Sequence, residues 1–353
     1  MFDPNDFVPE SLFERITAVR VDYPGAIMEE ALARGRREVL APDGKLCILA
    51  CDHPARRVTS ALGDPTAMGD RHDYLGRILR VMSHPEIDGV MATPDIIEDL
   101  LIVSHLLRRH RGGGSFLDGK ILIGCMNRGG LAGTVFELDD AMTSYTVESM
   151  VAHRLDAAKM MFRLDPSNPD SLATMVYCAE AMNALNRVKM PVFLEPLPIE
   201  KTDCGYRVKK TSLDMIQTIG VASAMGESTA RLWLKIPIVP EFERVARSTT
   251  LPLLLLGGES SGNPTEVIRE FRRALNAGAN VRGALIGRNV LYPGDVDPLG
   301  VALAISRMIH RGYSADQAIA EINEVAGFGR DLYRMESATP RLKPEACDKQ
   351  AWS

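Results

Sequence analysis

Eight short apolar runs, each followed by a segment with helical spacing, constrain this chain more than any other feature. They fall at residues 47–52, 89–93, 121–125, 157–162, 192–195, 232–236, 253–257 and 284–287. Helical periodicity between them is clearest at 96–109, 172–186, 213–225 and 264–277. Alternation of strand and helix predicts a parallel sheet, and runs that are apolar at nearly every position fit strands covered on both faces. Eight such units in about 250 residues predict a single α/β unit, a (β/α)8 barrel. The 353-residue length is compatible with one large domain.

That framework divides the chain into an N-terminal helical extension (1–45), a barrel (46–335) and a C-terminal tail rich in Pro and Lys (336–353). The triple glycine 112–114 falls between a helix and the third strand, where a flexible connector on the stability face of the barrel is expected. Charge bears on partners: 41 basic against 46 acidic residues give a net −5, without the basic stripe that binding a phosphate backbone needs. Nucleic acid is therefore not an expected partner. No apolar run approaches the roughly 18 residues of a membrane span and no leader pattern opens the chain, so a soluble cytoplasmic protein without membrane contact is expected. Its six cysteines (47, 51, 125, 178, 204, 347) show no CxxC pair and are expected to be reduced thiols. Outer helices of barrels often mediate assembly, which makes a homo-oligomer the expectation.

In a barrel of this kind, reactive groups belong at the C-terminal ends of the strands. Read in that order, the sequence offers Asp52 and His53 after the first strand, and Asn127 and Arg128 after the third. Lys159 and Arg163 lie on the fourth, Glu195 on the fifth and Lys235 on the sixth. Gly257-Gly258 follow the seventh, and Gly287-Arg288 the eighth. An ammonium inside an apolar barrel is costly, and both desolvation and a second cation push its pKa down toward the neutral amine. Such an amine attacks a ketone, forming a carbinolamine and then an iminium, which is an electron sink for breaking the adjacent carbon–carbon bond. Lys235 is the expected nucleophile, Lys159 the second cation and Glu195 the proton carrier. Taken singly, each has a plain structural explanation: a salt-bridged or snorkelling lysine, an Asp156 or Glu195 ion pair, a barrel-lining carboxylate. The glycines at 257, 258 and 287, with Arg288 and with Ser260 nearby, are expected to cradle a phosphate, although tight turns would use the same residues.

These positions carry a family resemblance. "LACDHPAR", "LDAAKMMFRLDPS", "PVFLEP", "LWLKIPIV", "LLLLGGE" and "GALIGRNVLY" resemble class I, Schiff-base aldolases of the deoxyribose-phosphate and fructose-bisphosphate aldolase superfamily. The resemblance runs from about Leu46 to Leu291 and is strongest to the tagatose-1,6-bisphosphate type and to aldolases of inositol breakdown. It implies Lys235 as the Schiff-base lysine, Glu195 as acid/base, and Lys159 as the group that holds and tunes it. It further implies Asp52 at substrate hydroxyls or in proton transfer, and Gly258, Gly287 and Arg288 at a phosphate. No cofactor and no metal are then needed beyond the covalent lysine intermediate. The tagatose-type pattern has glutamine where this chain has His53, and the tyrosine that archaeal-type fructose-bisphosphate aldolases place near strand five is missing. By analogy, the expected substrate is a phosphorylated ketose or keto-acid. 2-Deoxy-5-keto-gluconate 6-phosphate is preferred over fructose- or tagatose-1,6-bisphosphate, with Arg128 or Arg163 at its carboxylate.

Three rivals differ in class. Gly258-Glu259-Ser260-Ser261-Gly262 matches the G-x-S-x-G pattern of serine hydrolases, which would require His310 with Asp295 or Asp297 as partners. A zinc-dependent aldolase would require several histidines at strand ends, where only His53 is well placed. A non-catalytic barrel that binds sugar phosphates would show no covalent chemistry at Lys235.

Overall fold

The expected alternation is realised as a closed ring of parallel strands. The computed structural model describes residues 2–203, 205–325, 327–329 and 332–333; the expected tail at 336–353, Cys204 and Cys347 lie outside the described residues. The strands are β1 (Leu46–Cys51), β2 (Gly89–Ala92), β3 (Ile121–Cys125), β4 (Ala157–Leu164), β5 (Val192–Thr202), β6 (Gly205–Val208), β7 (Leu232–Pro237), β8 (Leu253–Leu256) and β9 (Val281–Ile286). All but β6 pair in parallel, in the order β4-β3-β2-β1-β9-β8-β7-β5, and β4 pairs with β5 to close the barrel. The architecture is a (β/α)8 barrel.

Its helices are α1 (Glu10–Asp22), α2 (Ala26–Ala33), α3 (Arg71–Met82), α4 (Pro94–Arg111), α5 (Val147–Ala152) and α6 (Asp170–Arg187). They continue as α7 (Ser212–Ser223), α8 (Phe242–Ala246), α9 (Pro264–Leu275), α10 (Arg288–Leu291), α11 (Pro298–His310) and α12 (Ala315–Ala320). Local chemistry sets several starts: α4, α9 and α11 each open with a proline, preceded by Thr93, Asn263 or Asp297 at the cap. Gly112 ends α4 in a left-handed conformation at φ +64°, so the triple glycine begins as a helix cap below the barrel.

The strands are apolar throughout because each faces two cores. Leu46, Ile48 and Ala50 of β1 point into the barrel with Met91, Ile123, Phe193, Leu254 and Leu285, while Cys47, Leu49 and Cys51 alternate outward against the helices. The four described cysteines (47, 51, 125, 178) are free and buried.

One element departs from the sequence reading. β5 does not stop near Glu195 but runs on to Thr202 and turns back as β6, pairing Ile199 with Val208 and Thr202 with Gly205. After Pro198 only Ile199 joins an apolar cluster, with Leu138, Met161 and Leu197 and with Tyr206 and Val208 of β6 against it, too short a pattern to announce a strand; the pairing with β6 supplies the backbone partners. This hairpin stands above the C-terminal mouth of the barrel.

Two helices precede β1. At the N-terminal end of the strands, Arg34 is fully buried and donates to the Lys120 carbonyl (2.8 Å), the Arg154 carbonyl (2.7 Å) and Asp156 (3.0 Å). Among the described residues no helix is long and apolar enough to cross a membrane.

Candidate active site

Strand alternation decides which side chains meet. On β4, Ala158 and Met160 face the helices, so Ala157 and Lys159 face the interior; on β7, Leu234 and Ile236 face out, so Lys235 faces in. Leu194 of β5 is level with Leu234 of β7, which sets the next residues, Glu195 and Lys235, side by side. Asp52 follows the end of β1. These four charged groups therefore enter one space from four strand positions, and all are buried, with 0% exposure at Lys159, 2% at Asp52, 4% at Glu195 and 5% at Lys235.

Their contacts form a chain. Lys235 Nζ donates to Glu195 Oε2 at 2.9 Å; Lys159 Nζ lies 3.0 Å from the same oxygen and donates to Asp52 Oδ2 at 2.9 Å. Burial alone would raise the Glu195 pKa, but the Lys159 ammonium, then Lys235 and Arg56, outweigh it and hold the carboxyl down at about 2. Asp52 is likewise held well below its usual range: burial pushes it up, while Lys159 and Arg56 pull it down harder. The two lysines diverge. Lys159 faces two carboxylates whose attraction exceeds its desolvation, so its pKa is raised. Lys235 has one direct carboxylate partner; desolvation dominates, Glu195 opposes it, and the Lys159 charge adds to the lowering. Paired environments that push like groups apart are a mark of acid–base assignment.

Around this chain the mouth is built from loops. His53 sits between Asp52 and Gly287; a Cβ on Gly287 would collide with the His53 ring and with the Ala50 carbonyl, so only glycine lets β9 end this close to β1. Burial, reinforced by Arg56 and Arg288 and opposed by Asp52, lowers the His53 pKa to about 3, leaving a neutral imidazole. Gly257 gives its carbonyl to the Asn289 amide, and a Cβ there would come within 2.8 Å of that amide. Gly258 turns at φ +68°. Arg288 lies beside them, loosely paired with exposed Glu259 at 3.5 Å.

Other residues named from the sequence stand apart from the central chain. Ser260 donates to the Tyr292 carbonyl. Asn127 is a brace, exchanging bonds with the backbone of Met161 at 2.7 and 2.8 Å. Arg128 donates to the Thr143 carbonyl at 3.4 Å, within its own loop. Arg163, expected as a carboxylate binder, is already committed to one: it pairs with Glu137 at 2.6 Å and donates to the Glu137 carbonyl as well. The pair fastens the loop after β3 over the mouth, and the sequence reading missed it because Glu137 lies 26 residues earlier in a stretch without periodicity. Arg56 was missed too. It ends a single turn of 3-10 helix (Pro54–Arg56) and its charge helps hold Asp52 ionised; its place in "CDHPAR", four residues after the aspartate, was the available signal.

The hydrolase rival does not assemble. His310 is held between Asp43 (2.7 Å) and Asp88 (2.9 Å), residues that precede β1 and β2 at the opposite end of the barrel from Ser260, so the serine-hydrolase triad is not formed. Asp297 caps α11 and pairs with Arg80 instead. Among the described residues no group of three or more His, Cys, Asp or Glu side chains converges as a metal site. An apolar hollow lined by Leu40, Ala41, Pro191, Trp233 and Pro252 lies at the N-terminal ends of the strands and holds none of the charged chain.

Several known proteins are similar to this chain. An uncharacterized aldolase of Saccharolobus solfataricus is 31% identical over 137 residues, 38% of this chain, and the match spans about half (47%) of that relative's length. A fructose-1,6-bisphosphate aldolase described as Schiff-base-forming shares the barrel at a TM-score of 0.52 and 18% identity, over 80% of this chain and all (100%) of that one. At such identity the likeness shows the fold alone. The crystal structure of Cgl0159 from Corynebacterium glutamicum is similar at a TM-score of 0.79 and 37% identity, covering 86% of this chain and 98% of that one. The family model described as Cgl0159-like matches residues 44–307, more than half of the sequence, and the chain belongs to that family.

Proposed function

We propose that this protein is a class I aldolase, a carbon–carbon lyase that works through a Schiff base on Lys235. The observation that carries the reading is a buried lysine amine with a lowered pKa, 2.9 Å from a carboxylate that a second lysine holds ionised. A solved aldolase of the same fold is described as Schiff-base-forming, and a partial relative is called an aldolase.

In this reading the Lys235 ammonium passes its proton toward Glu195, and the free amine adds to a ketone. Glu195 returns a proton to the carbinolamine hydroxyl, water leaves and the iminium forms. A base, Glu195 or Asp52, removes the proton from the hydroxyl two carbons away. The carbon–carbon bond between breaks, its electrons neutralise the iminium as an enamine, and an aldehyde departs. Protonation and hydrolysis then release the second product and restore Lys235. Lys159 remains charged throughout, as its raised pKa requires, and keeps both carboxylates in place.

The substrate we favour is 2-deoxy-5-keto-gluconate 6-phosphate. Its C5 ketone would join Lys235, and cleavage between C3 and C4 would give dihydroxyacetone phosphate and malonate semialdehyde. Fructose- and tagatose-1,6-bisphosphate would yield dihydroxyacetone phosphate by the same steps. A coupled assay for dihydroxyacetone phosphate with all three compounds tests the reading. Release is expected from at least one and is lost in Lys235→Ala; undiminished release by that variant overturns the mechanism.

A further inference from the structure

At the N-terminal end of the strands, one imidazole stands between two carboxylates. His310 is the last residue of α11; its Nδ1 lies 2.7 Å from Asp43 Oδ2 and its Nε2 2.9 Å from Asp88 Oδ2. Both acids are held ionised: burial alone would raise each pKa, but His310 and a backbone amide at each carboxylate outweigh it. An ionised carboxylate only accepts, and a neutral imidazole has one N–H, so the two contacts together require a ring protonated on both nitrogens. The C-terminus of a 13-residue helix favours that charge. Neighbouring groups are engaged elsewhere. Arg37 pairs with Asp88 Oδ1 at 2.8 Å, the Cys47 amide donates to Asp88 Oδ2, Lys45 donates to the Ile309 carbonyl, and Lys120 donates to the His84 and Ile87 carbonyls. Glu86 serves Arg307 and Arg311. Asp43 differs from Asp88: its side chain is 45% exposed against 11%, and His310 is its one ion-pair partner among the described residues.

We propose that His310 is a proton-operated clasp: doubly protonated, it ties the strap formed by residues 39–45 to the entry of β2, and on losing one proton it keeps Asp88 and releases Asp43. A neutral ring donates to only one carboxylate. Buried Asp88 has no water to turn to, whereas exposed Asp43 exchanges its bond for one to solvent at little cost, so the outer contact is the one that opens. The strap forms part of the barrel floor: Leu40 and Ala41 pack against the interior cluster beside Trp233, and Gly44, at φ +73°, turns the chain toward β1. Burial alone would lower the His310 pKa, but Asp88 and Asp43 outweigh it and raise it above the ordinary 6.5, while His53, His84 and His105 are lowered by burial. The clasp therefore contributes its full stability below the ordinary imidazole value and loses it as pH rises through the raised one; the lowered carboxylates set the acid limit, below 3.8. Lys120, which burial brings down to about 8, titrates on the same alkaline side and has to be told apart from His310. None of this depends on the chemistry at Lys235.

The test is amide hydrogen exchange of the full chain at about pH 6 and about pH 9, on either side of the imidazole range, expressed as protection factors so that base catalysis of exchange cancels. The Gly44 amide, bonded to the Ala41 carbonyl, and the Lys45 amide, bonded to Asp43 Oδ1, are the reporters. Their protection is expected to fall by about tenfold between the two conditions, the usual worth of a charge-assisted hydrogen bond, while the barrel strands keep theirs. Asp43→Asn removes an exposed charge without disturbing the core, and is expected to hold the strap at the low protection in both conditions. His310→Gln is expected to do the same, which assigns the step to the imidazole rather than to Lys120. Proton NMR of the histidine rings, with the His310 signal identified by its loss in His310→Gln, is expected to give a midpoint above 6.5 that moves down in Asp43→Asn. Equal protection in both conditions for wild type, a step of wild-type size in either variant, or a His310 midpoint at or below 6.5 overturns the proposal.

Discussion

Lys235 and Lys159 lie on strands of one barrel, touch the same glutamate oxygen, and still differ in which protonation state their surroundings favour. The difference follows from counting partners: two carboxylates around Lys159, one direct contact for Lys235. Because the Lys235 pKa is lowered, the fraction of neutral amine grows as pH rises through a value below the ordinary 10.5. Trapping rate should follow that curve. In Lys159→Met the neighbouring cation is gone while Asp52 and Glu195 remain, and both of these raise the Lys235 pKa. The pH midpoint for trapping should therefore move upward, and an unchanged or lower midpoint would contradict the tuning. Glu195→Gln tests the proton carrier: trapping on Lys235 should slow and cleavage should fall by roughly 10²–10⁴-fold, the usual worth of a placed acid–base group. Single-turnover trapping beside steady-state cleavage makes the comparison.

At the scale of elements, the loop between β3 and α5 and the β5–β6 hairpin turn an open barrel mouth into an enclosed one. The Glu137–Arg163 pair closes the loop against β4, and Gly130, at φ +61°, passes so near it that a Cβ would strike both partners. Removing one member of such a buried pair leaves the other charge without compensation. Glu137→Ala should cost about 3 kcal/mol in urea unfolding, with faster amide exchange in the loop; a loss under about 1 kcal/mol would mean that the loop lifts freely. These features also mark where sequence reading stops. Barrel strands were legible because they are apolar on both faces, and Lys159, Glu195 and Lys235 because each interrupts such a run with a charge. Arg56 and Glu137 interrupt nothing. They lie in loops without a period, and only the closed chain reveals what stands opposite them. Arg163 was visible as a strand-end cation, but its partner was not, so its pairing was misjudged.

For the whole molecule, the N-terminal segment is part of the packed structure. Phe7, Val8, Leu12, Ile16 and Val19 are all buried and belong to the same core as α3 and α4. At about 2 kcal/mol each, the five side chains represent about 10 kcal/mol, as large as the net stability of an ordinary domain. Deleting residues 2–34 would also remove the buried Arg34 that ties α2 to the N-terminal end of the strands. The shortened chain should fail to give a cooperative thermal transition by calorimetry, whereas an unchanged transition would show that the barrel stands alone. The barrel's purpose, in this account, is to carry four charged groups on separate strands into one buried space. The most direct test of that claim is to trap the intact protein with dihydroxyacetone phosphate and borohydride and map the modified peptide by mass spectrometry. The account predicts a single adduct on Lys235, absent in Lys235→Ala; an adduct on Lys159 instead, or one that persists in Lys235→Ala, would contradict it.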